Sequence, residues 1–121
     1  MTVSPRLHLD SSDIAGAIRD FTSTTSTMTA YAGGGQASAT AITTAFTRVT
    51  TVATIGDSVK LPSATVGKSV FVRNGTANSM DVFPQTGQSI NALSANTALA
   101  VAANTSAMFF CTTAGVWDSL T

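Results

Sequence analysis

RVTTVATIGDSVKLPSATVGKSVFVRNGTANSMDVFPQTGQSINALSANTALAVAANTSAMFFCTTAGVWDSL, residues 48–120, is a train of short apolar pieces separated by turn chemistry. VTTVAT, SVKL, SVFVR, MDVF, ALAVA, AMFFC and VWDSL are rich in β-branched and aromatic residues. IGD, PSATVG, NGTANS, PQTGQ and TTAG lie between them. Strand-length runs at regular spacing, with Gly, Asn, Asp and Pro between them, predict an all-β fold: a small antiparallel β-sandwich or barrel, jelly-roll-like. Asn74-Gly75 is a turn signal after SVFVR. Pro62 and Pro84 each close a strand, because neither can donate to a ladder. Thr112 to Gly115 turns AMFFC back onto VWDSL as a terminal antiparallel pair. Phe71, Phe83, Phe109 (or its neighbour Phe110) and Trp117 are the expected core anchors, since each aromatic buries roughly 150–250 Å².

Upstream of this β-domain, residues 1–47 read as an N-terminal arm. Pro5, Leu7 and Leu9 suit an extended leader. From residue 11 the period changes: Ser11 or Ser12 can cap, Asp13 sits in the first turn, and Ile14, Ala17, Ile18 and Phe21 fall at i, i+3, i+4 and i+7. One short helix is expected around residues 11–21, marginal by itself and held by packing. FTSTTSTMTAYAGGGQASATAITTAFT, residues 21–47, contains no charged side chain. Its Gly33-Gly34-Gly35 triplet punctuates regular structure. The expectation is an arm ordered by neighbouring subunits, with Ile14, Ile18, Phe21, Met28, Tyr31, Ile42 and Phe46 as candidate interface residues.

The chain has 121 residues, 44% hydrophobic and only 10% charged, with six basic and six acidic side chains and a formal net charge of zero. One domain is the expected content. A surface so poor in charge suits a protein packed among copies of itself or against a large partner. The scattered Arg6, Arg19, Arg48, Lys60, Lys68 and Arg73 form no basic run, which argues against nucleic acid as a partner. No apolar stretch approaches a membrane span, and no secretory signal opens the sequence. Cys111 is the single cysteine, so no internal disulfide can form.

A search for chemistry returns no catalytic, cofactor-binding or metal-binding residue. Asp57, Asp81 and Asp118 lie in turns or strands where a solvated Asp is ordinary, and a glycosidase needs a matched pair. His8 is the sole histidine and lies in the leader. No Ser sits in a G-x-S-x-G context, and one Cys with one distant His makes no zinc site. The chain reads as a non-enzyme without cofactors.

The residues also resemble a β-rich module of tailed-bacteriophage virion proteins. The resemblance is carried by D-S-V-K-L-P at Asp57–Pro62, V-x-N-G-T at Val72–Thr76, D-V-F-P-x-x-G-x-S-I-N at Asp81–Asn91, and a closing Trp117. It covers residues 48–121 and none of residues 1–47. It implies a structural virion protein without catalysis. The absence of an internal sequence repeat favours a head decoration (cement) protein over a shaft-like fibre. Such a protein would sit on the capsid surface of the virion, assemble with itself (a homotrimer before a dimer) and bridge subunits of the major capsid protein. The competing expectation is a tail-fibre or tail-tip module binding a carbohydrate receptor, with Trp117-Asp118 as the local candidate.

Overall fold

The computed structural model describes residues 22–121. Ten strands follow in chain order: β1 (Thr24–Thr29), β2 (Thr40–Ala41), β3 (Phe46–Thr51), β4 (Ser58–Lys60), β5 (Ser69–Asn74), β6 (Met80–Phe83), β7 (Ser89–Ile90), β8 (Leu99–Val101), β9 (Ser106–Thr113) and β10 (Val116–Leu120). They form two sheets. One has six strands in the order β1-β3-β5-β9-β10-β7, and the other has four in the order β2-β4-β6-β8.

From β1 to β6 the chain alternates between the sheets, one strand in each. Strands β1, β3 and β5 are therefore parallel neighbours in the large sheet, and β2, β4 and β6 are parallel neighbours in the small one. Each circuit stacks on the previous one, as in a solenoid: Thr24 lies beside Phe46, and Phe46 beside Phe71. Parallel strands require a long crossover, usually a helix; here a strand of the opposite sheet serves as the crossover. The stack is then closed by antiparallel pairing. β8 runs against β6, β9 against β5, and β10 returns against β9. The all-β expectation holds, as does the terminal β9–β10 pair. The antiparallel, jelly-roll-like sandwich does not, because five of the eight strand pairings are parallel. Alternation along a strand reports which face is buried, not which way the neighbouring strand runs.

Both sheets bury their inner faces in one core. β5 alternates strictly, with Val70, Val72 and Asn74 inward and Ser69, Phe71 and Arg73 outward. Val49, Val59, Leu61, Met80, Val82, Ile90, Val101, Phe109 and Trp117 join the core. The Trp117 indole N–H donates to the Pro62 carbonyl at 3.1 Å, so its one polar atom is satisfied inside. Of the expected anchors, Phe109 and Trp117 are fully buried, while Phe71 and Phe83 are half-buried on the outer faces of their sheets.

Residues 22–47 belong to this stack. They supply β1, β2 and the first two residues of β3, and they place Met28, Ala30 and Ile42 in the common core. A boundary between 47 and 48 falls inside β3. Thr has high strand propensity, and its uncharged side chain costs little on a half-buried sheet, so a tract that reads as a linker pairs as a strand. The Gly triplet is a packed turn. Gly34 has φ +71°, and a Cβ there would stand 2.7 Å from the Gly56 carbonyl oxygen. The helix expected around residues 11–21 lies outside the described residues.

Asn74 is buried, and its side chain ties the β5–β6 and β8–β9 connections together. Its Nδ2 donates to the carbonyls of Asn78 (2.8 Å), Val101 (3.1 Å) and Ala102 (3.2 Å), and its Oδ1 accepts from Thr76 N and Oγ1. Asn78 in turn donates to the Val52 carbonyl at 2.8 Å. The N-G-T at Asn74–Thr76 is thus an internal clamp. Buried amides are retained when every donor and acceptor finds a partner. Among the described residues, no buried side-chain nitrogen or oxygen lacks one.

Candidate docking groove on the large sheet

The outward residues of β3, β5, β9 and β10 follow from strand alternation, and the register sets them in rows. Phe46 lies beside Phe71, Phe71 beside Met108, and Met108 beside Leu120. This gives an apolar row perpendicular to the strands, beginning at Thr24 on β1. The rings of Phe46 and Phe71 stack with centroids 4.9 Å apart and planes 10° apart. Such offset or stacked pairs add roughly 0.5–1.5 kcal/mol beyond area burial. Even so, Phe46 remains 38% exposed and Leu120 65%.

The next row holds Arg48 beside Arg73, with Ser106 beyond. The Arg48 guanidinium lies over Gly75, its Nη2 3.1 Å from where a Cβ would be. Arg73 Nη1 donates to the Asn104 carbonyl at 2.8 Å. Arg73 is held by that bond, and no carboxylate among the described residues pairs with either cation. On the opposite side of the apolar row lies the Ser69–Phe110–Asp118 row, where the Thr112 hydroxyl donates to Asp118 Oδ2 at 3.5 Å. Row and arginines line a groove of about 650 Å³ on the face of the sheet turned away from the core.

The candidate interface residues divide. Phe46 is in this groove. Tyr31 is 42% exposed on the far side of a backbone bridge to Ser58, with Tyr31 N donating to Ser58 O at 2.8 Å. Met28 and Ile42 are core residues and offer no surface to a partner. Ile14, Ile18 and Phe21 lie outside the described residues. The sequence places Phe71 in the core rather than on the surface, offers Arg48 and Arg73 only as scattered cations, and gives no sign of Met108 or Leu120 as surface residues. One signal was present: Phe-x-Arg occurs at 46–48 and again at 71–73, both inside strand runs. In a parallel register that repetition places Phe on Phe and Arg on Arg.

Several of the candidate chemical groups among the described residues have structural roles. The buried Asp57 carboxylate accepts from Gly33 N at 3.2 Å and Thr54 N at 3.0 Å, closing a turn in which Asp57 N donates to Thr54 O. Asp81, half-buried on the outer face of the small sheet, has its carboxyl pKa raised by desolvation. Trp117, the sugar-stacking candidate, is sealed in the core. Cys111 is buried, and its thiol donates to the Thr113 carbonyl at 3.1 Å. Among the described residues, no three His, Cys, Asp or Glu side chains converge on a point that could hold a metal ion.

No family model, no curated protein and no solved structure matches the chain.

Proposed function

We propose that this chain is a non-catalytic building piece of a tailed-bacteriophage virion, a head decoration protein. It assembles with itself on the capsid surface, as a trimer before a dimer, and bridges subunits of the major capsid protein. The observation that supports this reading is the outer-face groove: an exposed apolar row beside two arginines that no carboxylate among the described residues pairs with, on a two-sheet stack. Contiguous exposed apolar surface rimmed by polar groups marks an interaction site. Its low charge density makes the remaining surface cheap to desolvate against other subunits. A single standard contact buries about 1,600 Å², and linking several protomers raises avidity over one contact by about 10²–10⁴.

The test is co-sedimentation of the purified full chain with phage heads stripped of decoration. Stoichiometric, saturable binding that protects heads against heat or chelator-induced rupture is the expected result. A monodisperse monomer that ignores heads refutes the reading.

One observation favours the second reading, a tail-fibre module. The backbone repeats in stacked coils even though the sequence lacks a long repeat, and stacked coils are how a shaft is extended. Antibody labelling of intact particles separates the two by position, on the head or on the tail.

A further inference from the structure

We infer that the groove on the large sheet receives an extended segment of another protein, one with an Asp or Glu two residues from a large apolar side chain. The inference deepens the assembly reading above by assigning the groove to the partner protein. It rests on that reading only in treating the groove as a contact surface.

Charge fixes the sign of the partner. The lining of the groove contains Arg48 and Arg73 and no Asp or Glu. Asp118 stands with Ser69 and Phe110, across the apolar row from the arginines. Arg48 and Arg73 are register partners on β3 and β5, so two like charges leave the sheet from backbones about 4.8 Å apart. Like charges set opposite each other destabilise a sheet. A carboxylate between them relieves that repulsion and meets planar forks of five N–H donors each.

The aromatic pair narrows the class of partner. The Phe46 and Phe71 centroids are 4.9 Å apart with planes at 10°, too close for both rings to lie flat on the sheet. Each ring therefore covers a face of the other, and the exposed rim is largely ring edge. Edges carry the positive end of the ring quadrupole, which again suits carboxylate oxygen. Single-stranded nucleic acid instead needs open ring faces on which bases stack.

Openness selects a polypeptide over a small amphiphile. Phe46 is 38% exposed and Leu120 65%, so the trough is open to solvent along its length. A small ligand is held where about 70–90% of its surface is covered, and this face supplies no such cover. A polypeptide brings a covering layer of its own. The spacing agrees as well: Phe46 to Arg48 and Phe71 to Arg73 are each two residues along a strand, about 6.6 Å. Side chains i and i+2 of an extended segment laid along those strands have the same separation, so one acid and one apolar anchor reach both rows together.

The experiment titrates the blocked peptide acetyl-Asp-Thr-Phe-Thr-Leu-amide into the isotope-labelled full chain and follows amide chemical shifts. Saturable shifts are expected around Phe46, Phe71 and Met108. A peptide with Asn in place of Asp, and one with Asp and Phe adjacent, should each bind about tenfold more weakly, the effect of two partly exposed charge pairs. The full chain carrying Arg48→Glu and Arg73→Glu should lose the acidic peptide and take the same peptide with Lys in place of Asp, a gain that only a folded groove can show. Leu120→Asp, at the exposed end of the row, should weaken binding with far-ultraviolet circular dichroism unchanged. Equal binding of the Asn peptide, shifts confined to another surface, or no saturable shift overturns the inference. Displacement of the peptide by a thymidine oligonucleotide overturns it in favour of nucleic acid. If the peptide binds as expected but heads are not bound, the virion reading fails and the groove assignment stands. If the charge-reversed chain still binds heads at full occupancy, the groove assignment fails and the virion reading stands.

Discussion

Replacing Asn74 by Asp tests whether the clamp between the β5–β6 turn and the β8–β9 connection holds the stack closed. The substitution keeps shape and volume and exchanges one NH₂ for oxygen. Three carbonyls, those of Asn78, Val101 and Ala102, lose their donor and face a negative charge instead. The Oδ1 contacts to Thr76 survive. The NH₂ has two protons to share among the three carbonyls, so two net hydrogen bonds at about 0.5–1.5 kcal/mol each give roughly 1–3 kcal/mol, and an uncompensated buried charge brings the loss to about 3–5 kcal/mol. Against a typical domain stability of about 5–15 kcal/mol, this is severe, a fall in Tm of roughly 15–25 °C for a chain of this size.

Asn74→Ala removes the same donors without adding charge, and should cost about 2–3 kcal/mol. Urea titration monitored by Trp117 fluorescence measures both. The pH dependence gives the sign. Burial among carbonyls raises the folded-state pKa of the introduced carboxyl above its unfolded value of about 3.9. The charge penalty is therefore full above the folded pKa and fades as pH falls toward the unfolded one. The gap between Asn74→Asp and wild type should narrow from pH 7 to pH 4.5. A loss under about 0.5 kcal/mol at pH 7, or a gap constant with pH, refutes the clamp.

Gly34→Ala should destabilise by about 2–4 kcal/mol in the same titration, since the left-handed backbone costs roughly 1–2 kcal/mol for an L-residue and the new methyl meets the Gly56 carbonyl at 2.7 Å; a neutral result would mean that the triplet is not packed. Asp81, whose pKa is raised by burial, favours the fold most below its unfolded pKa, and that advantage is lost as pH rises through its folded pKa. Asp81→Asn should therefore be slightly stabilising at neutral pH and should flatten stability against pH between 4 and 7, readable from thermal melts across that range.

Much of this was legible in the sequence. The strand runs, the β9–β10 pair and the burial of Phe109 and Trp117 follow from apolar alternation and turn residues, which act within a few positions of the chain. The carboxylates, the lone thiol and the scattered cations could be weighed from composition and spacing alone. Strand direction could not, because period-two patterning is the same in parallel and antiparallel sheets. Nor could the place of the Thr-rich tract, which has strand propensity but no apolar alternation, and becomes β1 only because β3 stands beside it. The groove was the least visible feature. Phe46, Phe71, Met108 and Leu120 are far apart in the chain, and only the stacking of successive coils brings them into one row. Local chemistry decided which residues turn inward. The long-range register decided which of the outward ones meet, and register is set by the whole core at once.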